Sequence, residues 1–182
     1  MNGVTFSRLP LSARICCTLF LLGVGCGALA AAVQGATAVG LSPSDVQASL
    51  APDMPMTGMQ HGQMSAERSI DIGQISNVAR VWIRTPLLIQ TSHTHLFGQT
   101  LIAGLLGLIF LFSSLGEGPK ALILSLPFVG TLIDIGGMWL TRFASPSFAS
   151  LVIAGGSLFA LGYLLIAVIS IYELWIRRED HA

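Results

Sequence analysis

Four long, predominantly apolar stretches set the terms on which this chain can fold. They run from Ile15 to Val33, from about Leu96 to Leu115, from about Ala121 to Leu140 and from about Phe148 to Ile176, and each is near the roughly 20 residues with which a helix crosses a bilayer of about 30 Å. A soluble domain could not hide them: the chain is 53% hydrophobic and only 10% charged, against roughly 25% charged for an ordinary globular protein. In lipid every backbone polar group must be satisfied within the segment, which selects helix. The expected fold is therefore all-α, an integral membrane bundle of four helices with one extramembrane segment between the first and second. The lipid bilayer is its first partner.

The sequence divides into residues 1–34, the first span; residues 35–90, the extramembrane segment; and residues 91–182, an array of three spans. Arg8 and Arg14 precede the first span, the pattern of an N-terminus held in the cytoplasm. Ala28-Leu29-Ala30 also fits a signal-peptide cleavage site, and under either reading the next segment is periplasmic. Cys26 is a poor lipidation site, because Gly23-Val24-Gly25 lacks the usual leucine, and Cys16, Cys17 and Cys26 have no zinc or redox spacing. The short links Gly116 to Lys120 and Arg142 to Ser147 make the last three spans antiparallel neighbours. Alternation then places the Lys120 turn and Arg177-Arg178 inside, with both chain ends cytoplasmic in a bacterial inner membrane. Arg68, Arg80, Arg84 and Arg142 fall outside and dilute that signal. Small residues mark close helix contacts: Ala103 with Gly107, and Gly155, Gly156 and Gly162, while Pro127 is placed to kink the third span.

Within the extramembrane segment, Ser42 as N-cap and Pro43 at the first helical position predict a short helix carrying Val46 and Leu50. Between Ile70 and Ile89, Ile72, Ile75, Val78, Ala79, Trp82 and Ile83 recur at helical spacing opposite Arg80 and Arg84, which predicts an interfacial amphipathic helix anchored by Trp82. Met54, Met56, Met59 and Met64 gather around His61. Soft thioether sulfur selects Cu(I) and imidazole suits either copper oxidation state, so Met54, Met56, Met59, His61 and Met64 form a candidate metal set, similar to the Met- and His-rich segments of periplasmic copper-handling proteins. Two other readings stand beside it: adaptable packing of methionine against a partner, and a plain linker.

Polar groups inside a membrane are functional candidates by default. His93 and His95 stand at the outer start of the second span with Gln99 one turn further on, and Asp134 lies near the outer end of the third. Because those two spans are antiparallel, His95, Gln99 and Asp134 can meet. An aspartate behind an imidazole orients histidine ligands of metals, which makes His93 and His95 candidate haem or metal ligands with Asp134 as a third group. A structural clasp, in which His95 and Asp134 lock the two helices together, is the first reading; metal or haem ligation is the second and a proton relay the third. Joint ligation by His93 and His95 requires a non-helical backbone, since positions two apart on a helix diverge by about 200°. Glu173 reads as an interfacial residue paired with Arg177, whereas Arg142 has three candidate partners: lipid phosphate, another protein, or Asp134.

The stretch Thr91-Ser92-His93-Thr94-His95-Leu96-Phe97-Gly98, together with Leu126-Pro127-Phe128, Ile133-Asp134-Ile135-Gly136, Leu140-Thr141-Arg142-Phe143, Ser145-Pro146 and Tyr172-Glu173-Leu174-Trp175, resembles a group of bacterial inner-membrane proteins that share a His-x-His-Leu-Phe helix start, an Asp in the next span and an Arg-aromatic-x-Ser-Pro turn. The similarity covers the C-terminal half, and Ser42 to Leu50 matches the short helix of that group. It implies a four-helix fold and an outer-face site at His93, His95 and Asp134. No activity follows, because the group has none assigned.

Several function classes fall away. Zero net charge and scattered Lys and Arg offer nothing to a phosphate backbone, so nucleic acid is not an expected partner. No nucleophile elbow, phosphate loop or HExxH motif occurs, which argues against an enzyme acting alone. A transporter would need repeated halves and more polar residues along a path. The leading expectation is an accessory or anchor subunit of a respiratory, electron-transfer or metal-handling membrane complex, with protein partners and with copper or haem as its candidate cofactor. The alternative is a copper-binding or copper-delivery protein using the Met54 to Met64 loop.

Overall fold

The computed structural model describes residues 5–6, 9–51 and 83–176. Among them all regular structure is helical: α1 (Leu11–Ala38), α2 (Pro43–Ser49), α3 (Thr85–Phe110), α4 (Glu117–Phe143), a 3₁₀ turn (Pro146–Phe148) and α5 (Ala149–Trp175). α1, α3, α4 and the stretch from Pro146 through α5 are each long and apolar enough to span a bilayer. The protein is thus an all-α, multi-pass membrane bundle, with α2 lying outside the set of spans.

Two ends of the bundle serve as landmarks. At one, Arg14 Nη1 donates to the Leu174 carbonyl (3.2 Å) and Glu173 meets the α3–α4 turn; at the other, Arg142 meets the start of α3. α1 begins at the Glu173 end and the spans then alternate, so the described chain starts and finishes at that same end.

Local chemistry sets the boundaries. α1 stops at Gly40, whose φ of 98° is open to glycine at little cost and whose N–H reaches back to the Gly35 carbonyl at 3.0 Å. α2 has the predicted cap: the Ser42 hydroxyl accepts from the Asp45 N–H at 3.2 Å, the Asp45 carboxylate answers the Ser42 N–H, and Pro43 opens the helix. Val46 and Leu50 are buried as the pattern requires. α3, however, starts at Thr85, well before Leu96. Its polar run from Gln90 to Gln99 lowers the hydropathy without breaking the helix, and the Thr85–Ile89 part of the expected amphipathic helix belongs to the span itself. Ile83 and Arg84 lead into the span without being helical, and residues 70–82, with Trp82 and Arg80, lie outside the described residues. α4 likewise starts inside the expected turn, at Glu117, since Pro119 in a first turn removes an N–H that has no helical partner anyway.

α4 and α5 form the densest part of the bundle. Gly130 and Gly137 on α4 lie opposite Gly155 and Gly162 on α5, seven apart in each helix, and all four meet facing backbone or proline ring. A Cβ on Gly130 would stand 2.5 Å from the Phe159 nitrogen, one on Gly137 2.8 Å from the Val152 nitrogen, and one on Gly162 2.6 Å from Pro127 Cδ. Such contact suits lipid, where packing rather than exclusion of water holds helices together. Gly156 faces open space instead. The carbonyl of Pro127 accepts from the buried Thr131 hydroxyl at 2.9 Å.

The rest of the core is two clusters. Leu21, Leu106, Phe110, Ile166 and Ala167 pack towards the Glu173 end; Val46, Leu50, Leu88, Met138 and Ala149 join α2 to α3, α4 and α5 at the Arg142 end. Glu173 is 4% exposed and accepts from the Ser114 N–H (2.9 Å) and hydroxyl (2.6 Å), so it fastens the α3–α4 turn to the end of α5. Arg177, its expected partner, lies outside the described residues.

Candidate functional site

α3 carries two seams of side chains at alternating steps of three and four. Leu88, Ser92, Ala103, Leu106 and Phe110 form the inner seam and are buried, and His95 and Gln99 continue it between them. Gln90, Thr94, Phe97, Leu101 and Leu108 form the second, with His93 beside it, and all of these are exposed. The histidines thus belong to different faces of a regular helix. His93 packs against Phe97, ring centroids 4.8 Å apart; His95 turns towards α4.

The antiparallel register brings the inner seam to Asp134. Trp139 Nε1 donates to Ser92 Oγ at 2.8 Å, and one turn deeper His95 Nδ1 faces Asp134 Oδ2 at 3.9 Å. That separation is too long for a hydrogen bond but close enough for the carboxylate to favour a hydrogen on Nδ1. Asp134 is 6% exposed and its backbone lies directly against Gly155 of α5, so the glycine seam fixes its height. Depth follows from helix rise: His95 is ten residues from the start of α3 and Asp134 nine from the end of α4, about 15 Å and about 14 Å at 1.5 Å per residue. Both therefore lie deeper than a helix mouth.

Two atoms in this group have no partner. His95 Nδ1 and Gln99 Oε1 are enclosed and lack any hydrogen bond, although the His95 side chain as a whole keeps 41% of its surface. The open edge of the ring is consequently the one that carries Nε2. His95 and Asp134 approach as expected, with Gln99 one turn further along the same seam; His93 stands apart, and its joint ligation with His95 has no geometric basis within one chain because the backbone there is helical. Among the described residues no three His, Cys, Asp or Glu side chains converge as a metal set. Met54, Met56, Met59, His61 and Met64 lie outside them.

Arg142 has a partner that sequence reasoning did not find. It is 5% exposed and does not reach Asp134; its guanidinium donates to the carbonyls of Leu50 (3.3 Å), Ala51 and Ile83 (3.4 Å) and to Thr85 Oγ1 (3.1 Å). The Ile83 N–H also donates to the Ser49 carbonyl at 2.9 Å. One arginine thereby closes the two ends of the segment between α2 and α3. Lys120, also buried, plays a lesser part at the opposite end, with Nζ 3.4 Å from the Leu111 carbonyl and from Glu117 Oε1.

Fold and polar group together define a multi-pass helical membrane protein with an intramembrane His–Asp pair. Residues 85–181, more than half of the chain, match the family Aq_1264_TM, a transmembrane helical domain, and the chain belongs to that family. No curated protein and no solved structure matches it. The matched stretch holds α3, α4 and α5, and with them His95 and Asp134; α1, α2 and the Met- and His-rich loop precede it.

Proposed function

We propose that this protein is an accessory or anchor subunit of a larger membrane assembly of the electron-transfer or metal-handling kind, seated in a bacterial inner membrane with both chain ends cytoplasmic, and that the outer seam of α3 is where it grips its neighbour. The observation that carries this reading is the exposure of Gln90, His93 and Thr94 on a transmembrane helix beside Phe97. The Thr94 hydroxyl satisfies itself on the Gln90 carbonyl at 2.9 Å, but the Gln90 amide and the His93 imidazole face the bilayer side of the helix. Polar groups turned towards hydrocarbon are costly, and a second helix that offers hydrogen bonds removes that cost. The three-and-four spacing of the seam is that of helix pairs.

Photo-crosslinking in intact membranes tests the proposal. A photoreactive residue at Thr94 or Phe97 is expected to give a discrete adduct with another polypeptide, whereas one at Leu164, on the exposed side of α5, is expected to label lipid. A chain that emerges from mild detergent alone and forms no adduct from the α3 seam would sink the proposal.

A further inference from the structure

The inner seam of α3 has its own unfilled capacity, on the face opposite the partner seam, and its chemistry holds whether or not a partner binds. His95 offers one accessible ring nitrogen, Nε2, about 15 Å along a transmembrane helix. Behind the ring, Nδ1 is enclosed 3.9 Å from the Asp134 carboxylate. A carboxylate there favours the tautomer with hydrogen on Nδ1, so the lone pair of Nε2 points outward. Beside it, a Cβ placed on Gly98, one turn along the helix, would meet nothing within 4 Å. The site is thus a hydrogen-bond acceptor with open space at its flank, reached from lipid.

The ligand's chemistry follows by elimination. An anion finds no cation at this depth: Arg142 and Lys120 are engaged with carbonyls at opposite ends of the bundle. A metal ion needs further donors, and no group of three converges among the described residues. What remains is a molecule that dissolves in the bilayer, is largely apolar, and presents a hydroxyl. A phenolic hydroxyl is a stronger donor than an aliphatic one, and a flat ring fits beside a glycine. We propose that His95, backed by Asp134, binds the head group of a membrane-dissolved hydroquinone, with the quinol hydroxyl donating to Nε2.

Decylubiquinol binding to the full chain in lipid nanodiscs, kept anaerobic and followed by titration calorimetry, tests this directly. Wild type should bind the quinol saturably, and His95→Phe should bind it at least about tenfold more weakly, the loss of roughly one hydrogen bond. Leu164→Phe, altered on the exposed side of α5, should match wild type. Decylubiquinone, which has no hydroxyl to donate, and 1-dodecanol, which has no ring, should each bind more weakly than the quinol. Asp134→Asn, with helix content checked by circular dichroism, keeps the side-chain size while removing the charge behind Nδ1, and should weaken quinol binding several-fold. Absence of saturable quinol binding, equal binding by His95→Phe and wild type, or equal affinity for quinol, quinone and alcohol would each overturn the proposal.

Discussion

The α4–α5 pair and α1 are joined to the same bundle by opposite means. α4 and α5 meet backbone to backbone along four glycines, with little side chain between them. α1 buries a single residue, Leu21, 1% exposed, and leans on polar clasps: the Tyr163 hydroxyl to the Leu21 carbonyl at 2.7 Å, Trp175 Nε1 to Thr18 Oγ1 at 2.9 Å, and Arg14 to the Leu174 carbonyl. Beyond these, Gly23, Gly27 and Gly35 have nothing within 4 Å of a built Cβ. Lipid supplies no hydrophobic drive between helices, so area of close contact separates a fixed pair from a detachable one. Asp134, the carboxylate half of the polar site, sits on the fixed pair, where Gly155 holds it at its height.

The contrast is broken most severely at the seam. Gly155→Leu should remove more than about 3 kcal/mol of stability by forcing the α4 backbone away, while Gly156→Leu, one residue on and facing open space, should cost no more than about 0.5 kcal/mol; a denaturing-detergent titration of the two variants measures the difference. Next in size is Arg142→Met, which strands three carbonyls and should cost about 2 to 4 kcal/mol, with faster cleavage by added protease between α2 and α3. Arg142→Lys should recover only part, because a point charge cannot serve so many acceptors at once. Smallest is the pair Thr18→Val with Tyr163→Phe, worth about 1 kcal/mol in all. Its readout is slower crosslinking between cysteines placed at Leu21 and Ile166, in a background lacking Cys16, Cys17 and Cys26, with α4–α5 stability unchanged.

How much of this was legible depended on the range of the interaction. Four spans and the Ser42 cap are local statements about length, hydropathy and turn chemistry, and they stand in the fold as read. The meeting of His95 with Asp134 was readable because one short turn fixes the register of two helices. Arg142 was not, since its acceptors lie 57 to 92 residues away and three of the four are backbone carbonyls, which have no side-chain signature. The bonds of Glu173 to Ser114 were likewise not legible, because they are set by the helix alternation and have no local signature, while Arg177, its expected i,i+4 partner, lies outside the described residues. Gly130 and Gly137 went unremarked, although their spacing of seven, repeated by Gly155 and Gly162, was the available signal.

The closure at Arg142 also bears on how such a protein can diversify. Ala51 and Ile83, which bracket residues 52–82, are held by one guanidinium, and a backbone hydrogen bond from Ile83 to Ser49 adds to it. Two ends tied this closely make a closed loop of whatever length of chain joins them, and lengthening a closed loop is thermodynamically mild, about 0.6 kcal/mol per doubling. The stretch between Ala51 and Ile83 can thus be lengthened or exchanged, in nature or at the bench, while the Arg142 contacts that hold its two ends are kept.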